Sequence, residues 1–597
     1  MNAMSTRQVV QWAAVAAPPG MMAALIWTFG VDVPYWDEWL TLRVPLSAKR
    51  RTLEAVTVWA QHNDHRLVVL NLISAALARW SSYNLISGMY IGFTFQLLTL
   101  AFIWRLVRLT VARRDPAIEW VAMAGASLLL FWTAAADTWI WSIASIQFFA
   151  SAFCGAGVVW ALAEWQQRWR GVVVGSVFST LGVLNAATGF PLLAVVPCGI
   201  WLTGWRGRRL ALALAATLTV GLAVTAVYFS GWSPHMPVVA PRDPQRLMAL
   251  VVYGLTYLGS PVQLMPPFDW RVGWVGGAVA CAALSGAVLF WRGRWPEARA
   301  QLSPWILLAL YSCLNAGLTA LGRGTLGPGQ AMATRYVPIA TLFWVAGIVI
   351  TAALVTRLIR ETSGALRLSA AAGLLMCAFG AVYLQVYASS VAAMGRFSEQ
   401  MQQYADYARA YDTAGDAWMA QLYEDPDHVR AVARQLHQHE MSLFNRPAPE
   451  FGPESGAFAA AYDRAVRSGT CALDEINGHV AGAEPFVLPR GIFGATGWAV
   501  DSSDEVPSEQ IYGVLRSPER RLLIAARRVR RPDVADLLAS PRYERSGFRV
   551  SGSIAQLPSG DYRLAIAQGR PAGLVVCEFP NVLTIPDPGA PGEARVR

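Results

Sequence analysis

The residues best equipped for chemistry sit in one stretch, Val31–Arg66, VDVPYWDEWLTLRVPLSAKRRTLEAVTVWAQHNDHR. It holds Asp32, Asp37, Glu38, His62, Asp64, His65 and Arg66. A carboxylate such as Asp37, or Glu38 beside it, can take the proton of a hydroxyl and make it a nucleophile. The plainer reading of these two acids is a solvated turn flanked by interfacial Trp36 and Trp39. In His62-Asn63-Asp64-His65-Arg66, two histidines three apart could share a metal on one helical face, but no third ligand lies close in sequence. Hydrogen bonding by His62 and His65 and phosphate contact by Arg66 fit better, because a planar guanidinium matches phosphate oxygens.

Two further features stand outside this stretch. Asp137, in TAAADTWIWS, occupies a short connection between apolar runs. An acid at the edge of a membrane span marks a functional candidate, with a helix N-cap as the alternative. Residues 322–336, GRGTLGPGQAMATRY, place Arg323 and Arg335 on either side of a glycine-rich turn that ends in Tyr336. An anionic headgroup or lipid phosphate would explain arginines there; interfacial snorkelling is the alternative. The run His437-Gln438-His439-Glu440 reads as a solvated helix face. The chain has no phosphate-binding glycine loop, dinucleotide fingerprint or Gly-x-Ser-x-Gly elbow. That disfavours ATP-driven transport and use of cytosolic nucleotide sugars.

The elements that must position these residues are mostly apolar. Of 597 residues, 54% are hydrophobic and only 15% charged, whereas a soluble protein carries roughly a quarter charged. A membrane span needs about 20 apolar residues. About eleven candidate spans follow, near 9–30, 84–104, 119–136, 143–163, 171–186, 189–204, 210–230, 271–291, 303–321, 336–356 and 367–388. Residues 67–80 are shorter and fit an interfacial helix. The first run carries Pro18-Pro19-Gly20 mid-span and a Trp-rich end, with no convincing small-residue cleavage site, which favours a retained helix over a cleaved signal peptide. The net charge of +10 does not require nucleic acid. With the N-terminus inside, loops 105–118, 164–170, 205–209, 292–302 and 357–366 all face inward and all carry arginine, while 137–142 and 186–189 carry none. The same count puts 31–66, 231–270, 322–335 and the C-terminus outside.

Beyond residue 390 the character changes. Residues 394–423 and 427–444 read as amphipathic helices broken at Asp425-Pro426-Asp427, and 446–456 as a linker. From 485 onward GWAVD, IYGVLRS, RLLIAARRV, GFRVSGSI, DYRLAIAQ and GLVVCEF alternate between turns, which predicts a β-sandwich of about 110 residues. Cys471 and Cys577 lie in this part and are either a disulfide or two unpaired thiols. The fold class expected is therefore a polytopic α-helical membrane domain over 1–390, whose first external loop is 31–83. An external helical linker follows over 391–456, and a β-sandwich-like domain over 457–597.

This layout resembles the GT-C superfamily of integral-membrane glycosyltransferases, in particular the protein O-mannosyltransferases and the lipid A aminoarabinose transferase. Asp37-Glu38 matches the acidic motif of their first external loop, and Asp137 is similar to their second external acid. The GRG…ATRY loop looks like the arginine-bearing late loop of bacterial relatives, and HNDHR resembles an HNEHR-like element. The GWAVD…RRPDVAD…SGFRVSG pattern resembles a sandwich attached to bacterial polysaccharide proteins. The resemblance implies sugar transfer from a polyprenyl-phosphate donor to a glycan, lipid or protein acceptor at the outer face of the bacterial inner membrane, with inversion. It implies a catalytic role for Asp37, Glu38 and Asp137, and substrate contacts for His62, His65, Arg66, Arg323, Arg335 and Tyr336. No cofactor is required by it, and a divalent metal is an option. Two other readings stay open, a non-catalytic transport or scaffold component of polysaccharide assembly and a ligase or polymerase of lipid-linked glycan.

The topology is checked by fusions. Alkaline phosphatase joined after residue 597 is expected to be active and a cytoplasm-maturing fluorescent protein there dark, with the opposite result for fusions at 206–209.

Overall fold

Long apolar helices form because their backbone groups bond internally, the one arrangement besides a closed barrel that lipid tolerates. In the computed structural model the described residues are 5–111, 116–235, 243–262, 269–295, 299–361, 365–467, 470–482, 485–501, 508–570 and 573–587. Arg113, Arg114, part of the 231–270 loop and the end of the tail lie outside them. The chain divides into two units, Met1–Val31 with Arg43–Ser398, and Asp32–Leu42 with Glu399–Arg597.

Among the described residues of the first unit, eight helices are long and apolar enough to cross a membrane. They are Gln8–Phe29, Leu85–Thr110, Glu119–Trp139, Ser142–Glu164, Gly207–Phe229, Trp270–Arg294, Ala300–Leu326 and Thr334–Glu361. The expected count of eleven is not reached for identifiable reasons. The runs at 171–186 and 189–204 become helices of 17 and 11 residues, Trp169–Asn185 and Leu192–Leu202, separated by the turn Ala187–Gly189. The run at 367–388 lies within the helix Ala365–Arg409, and the side chains of 365–379 are outside the described residues. Residues 68–80 form the short helix expected there.

Ser142–Glu164 is the buried centre of this unit. Its neighbour Leu85–Thr110 approaches it closely at small residues. A Cβ on Gly92 would fall 2.7 Å from the Ser145 carbonyl oxygen, which is the close backbone approach that small residues permit between membrane helices. Several polar side chains inside the unit bond across helices. Asn185 donates to the Gln147 carbonyl at 2.7 Å and to Ser151 Oγ at 3.0 Å, and Tyr311 donates to the Ser151 carbonyl at 3.0 Å. By contrast Leu218, Leu222, Val279 and Leu289 are exposed on Gly207–Phe229 and Trp270–Arg294, surface suited to lipid chains.

In the second unit the alternating segments pair as two sheets. One runs Arg527–Val529, Gly547–Ser553, Ile492–Ala499, Cys471–Ile476, His479–Val480. The other runs Gly452–Pro453, Arg521–Ala525, Ile511–Arg516, Gly560–Arg570, Gly573–Ile585, Val466–Arg467, and Phe486–Val487 also pairs with Gly573–Ile585. Strands with one buried face register through that face. Phe493, Ala495, Phe548 and Val550 of the first sheet meet Leu515, Leu564, Ile566 and Phe579 of the second in one core. A disulfide joins Cys471 of one sheet to Cys577 of the other, with Cα atoms 6.4 Å apart.

Cross-linking residues 106 apart in sequence restricts the unfolded chain and stabilises by about 2–4 kcal/mol. Cys577→Ser is expected to lower the denaturation midpoint of the second unit, measured by tryptophan fluorescence in detergent. Reductant should lower the wild type similarly and leave the variant unmoved.

Candidate functional site

The HNDHR stretch is a β-hairpin. Gln61 pairs with Arg66 and His62 with His65, around an Asn63-Asp64 turn. Asn63 takes a positive φ of 50°, a conformation that asparagine tolerates and two-residue hairpins require. The expected shared helical face of His62 and His65 is thus replaced by a cross-strand pair. Among the described residues no three His, Cys, Asp or Glu side chains gather to hold a metal.

Asp64, at the tip, is the clasp of this region. One carboxylate oxygen accepts the His235 N–H at 2.8 Å, and the other faces Arg323 Nη2 at 3.3 Å. Its carbonyl accepts the Trp232 indole N–H at 3.2 Å. Gln61 Nε2 donates to the Ser233 carbonyl at 2.6 Å, and its Oε1 accepts the Ser233 N–H at 3.1 Å. The hairpin is therefore bound to the chain that follows Gly207–Phe229 and to the end of Arg299–Arg323.

Arg66 is buried, only 4% exposed. Its guanidinium donates to the carbonyls of Tyr228 at 2.7 Å, Trp59 at 2.8 Å and Ser230 at 2.6 Å. Its backbone N–H donates to Tyr228 Oη at 3.1 Å. Carbonyls that have left their helix thus take three of the five guanidinium N–H groups of Arg66, the residue expected at a phosphate.

The glycine-rich loop folds as consecutive short turns, Gly324–Leu326, Pro328–Met332 and Thr334–Tyr336, with Gly327 at φ 81°. Gln330 is its polar hub. It accepts a hydrogen bond from Tyr253 Oη and donates to Tyr336 Oη at 3.0 Å. The Tyr336 ring packs on Tyr257, with centroids 5.1 Å apart, and Arg335 lies over Tyr336 at 5.3 Å. Among the described residues the Arg335 guanidinium makes no hydrogen bond and no ion pair.

The turn holding Asp137 adjoins this loop. Thr138 Oγ1 bonds Thr334 Oγ1 at 3.2 Å. Trp139 Nε1 donates to the Trp132 carbonyl at 3.1 Å, and Trp132 Nε1 donates to the Pro261 carbonyl at 2.8 Å, so the turn is held from both ends. Asp137 itself is half-buried on the short helix Ala136–Trp139. Its carboxylate accepts no hydrogen bond among the described residues, and Arg396 is the cation that acts on it electrostatically. An acid and a guanidinium without hydrogen-bond partners thus sit on two turns that are hydrogen-bonded to each other.

Asp37 and Glu38 belong to the second unit. Glu38 is 1% exposed, and its Oε2 accepts the Tyr35 N–H at 3.2 Å, closing its own turn. Around it, Ser442 Oγ donates to Asp32 Oδ1 at 3.0 Å, and the His428 ring lies 3.3 Å from the Trp39 carbonyl.

No protein-family model and no curated protein matches the chain. Among solved structures it is similar to the oligosaccharyltransferase of Archaeoglobus fulgidus, determined with zinc and sulfate. Identity is 14% and the TM-score 0.35, over 74% of this chain. The chain spans 60% of the length of that protein. A likeness of this size says nothing of substrate.

Sequence reasoning did not single out Tyr228, Tyr253, Gln330, Thr138 or Thr334. The available signal was weak: polar side chains at the ends of apolar runs, where backbone groups need partners. Arg66→Gln is expected to destabilise the first unit by about 2–4 kcal/mol, because buried carbonyls lose a charged donor. A lowered thermal-aggregation midpoint in detergent checks this.

Proposed function

We propose that the first unit is a membrane-embedded glycosyltransferase that moves a sugar from a polyprenyl-phosphate donor to a hydroxyl of a cell-envelope acceptor. The observation that carries this reading is the pair of adjoining turns bearing Asp137 and Arg335, each without a hydrogen-bond partner among the described residues. Buried or half-buried polar groups normally find partners, so a pair left open is a place for a ligand. The arginine pattern of the loops puts both turns on the outer face, the side opposite the arginine-rich connections.

In this reading the donor phosphate rests on Arg335, with Arg323, oriented by Asp64, as the second cation. Asp137 takes the proton from the acceptor hydroxyl as its oxygen attacks the anomeric carbon. The bond from that carbon to the phosphate oxygen breaks, and the electron pair leaves with the polyprenyl phosphate, whose charge Arg335 stabilises. One displacement inverts the anomeric centre. Tyr336 and Gln330 shape the wall beside the phosphate. Arg66 acts only by holding the hairpin.

Asp137→Asn is expected to lower turnover about 10²–10⁴-fold, the usual contribution of a positioned base. Arg335→Gln should lose activity more than Arg335→Lys, which keeps the charge but not the fork. The assay is transfer from a short-chain polyprenyl-phosphate sugar, together with lipid-linked sugar analysis of a strain lacking the chain, where unused donor should accumulate. Full activity of both Asp137→Asn and Arg335→Gln, at unchanged protein level, sinks the reading. Asp37→Asn is the companion variant, and a loss there assigns Asp37 a part.

A further inference from the structure

The second unit contains a cleft of about 270 Å³ lined by Gln403 and Tyr407 of the long helix, by Asp474, Glu475 and Thr496 of the sandwich, and by Arg549. Consecutive strand residues point to opposite faces. Here the pairing register shifts between Leu473 and Glu475, so Asp474 is an extra residue in its strand. Such a bulge re-aims a side chain, and it allows Asp474 and Glu475 to line the same cleft.

The groups in the cleft are unequally satisfied. Asp474 is paired with Arg531, and Glu475 Oε2 accepts the Trp418 indole N–H at 2.7 Å. Tyr407 is covered, stacked on Trp418 with centroids 4.3 Å apart and approached by Arg549 at 5.8 Å. Arg549 is 7% exposed, and its buried Nε–H has no hydrogen-bond partner among the described residues. It enters no ion pair there either, although Glu475 lines the same space. Burial holds its guanidinium below the ordinary value, with Tyr407 and Asp406 opposing the shift.

We infer that this cleft binds a small hydroxylated carboxylic acid, of the size and chemistry of a single acidic sugar residue, through its carboxylate on Arg549. A buried guanidinium without a partner calls for an acidic oxygen. Asp474 is already paired with Arg531, so Glu475 is the carboxylate left to accept a hydroxyl hydrogen, and its charge disfavours a more highly charged anion such as phosphate. Gln403 and Thr496 serve hydroxyls as donors or acceptors. The volume lies just below the usual range of ligand pockets, about 300–1,000 Å³, and so suits one ring. The inference is separate from the transferase reading and stands if that reading fails.

The test is binding of glucuronate to the full-length chain in detergent, followed by ligand-observed NMR, with glucose and inorganic phosphate as comparators. Glucuronate is expected to bind about tenfold or more tighter than either, the effect of one charged hydrogen bond. Arg549→Gln should weaken it by a similar factor. Gln421 is exposed at the rim, and Gln421→Trp should obstruct the cleft while leaving the fold intact, so it carries the test if Arg549→Gln misfolds. Absent glucuronate binding, equal or tighter binding of glucose or phosphate, or wild-type affinity in Gln421→Trp would each overturn the inference.

Discussion

A backbone carbonyl that leaves a helix in apolar surroundings must find a donor, because leaving it bare costs several kcal/mol. At the end of Gly207–Phe229 one side chain meets this demand. Arg66 holds the carbonyls of Tyr228 and Ser230 together with that of Trp59. The hairpin that carries Arg66 is fixed by the same bonds. Through Asp64 that hairpin then fixes His235 and Arg323. The order of this end of the unit therefore rests on a buried cation that donates to three backbone carbonyls at once, which the planar fork of arginine is shaped to do.

Against that background the open groups gain meaning. The turns around Asp137 and Arg335 are pinned by Trp139, Trp132, Thr138 and Gln330. Among the described residues the Asp137 carboxylate and the Arg335 guanidinium make no hydrogen bond on these hydrogen-bonded turns, and the proposed transferase site rests on that arrangement. Arg549 in the second unit follows the same logic on a strand scaffold. There a bulge, rather than a loop, brings the polar groups together.

Much of this was legible in the residues. The strong alternation in GFRVSGSI and DYRLAIAQ, bounded by Gly, Pro and Ser, marked strands, because burial of one sheet face imposes a period of two. Apolar runs marked helices for the same reason of burial. The limits are equally physical. HNDHR suggested a helical face because a hairpin with two residues on each side leaves no periodicity to read. Its Asn63 was the usable sign. Eleven spans are not confirmed among the described residues, because a run such as 189–204 has the hydropathy of a crossing helix, yet an 11-residue helix, Leu192–Leu202, is what forms there. The short strap Asp32–Leu42 could not be assigned to the second unit at all. Its partners, such as Tyr404 and Ser442, are hundreds of positions away, and local pattern carries no record of them.

That strap has a consequence for biogenesis. The second unit is discontinuous: Asp32–Leu42 leaves the exit tunnel early, whereas the segment from Glu399 onward, with which it clusters, is made last. Trp39 and Leu42, fully buried in the finished molecule, are made long before the segment with which their strap clusters. Loop closure over so long a separation makes such pairing slow. Nor can a single cut separate the units, since a stretch of the second lies in sequence between two stretches of the first.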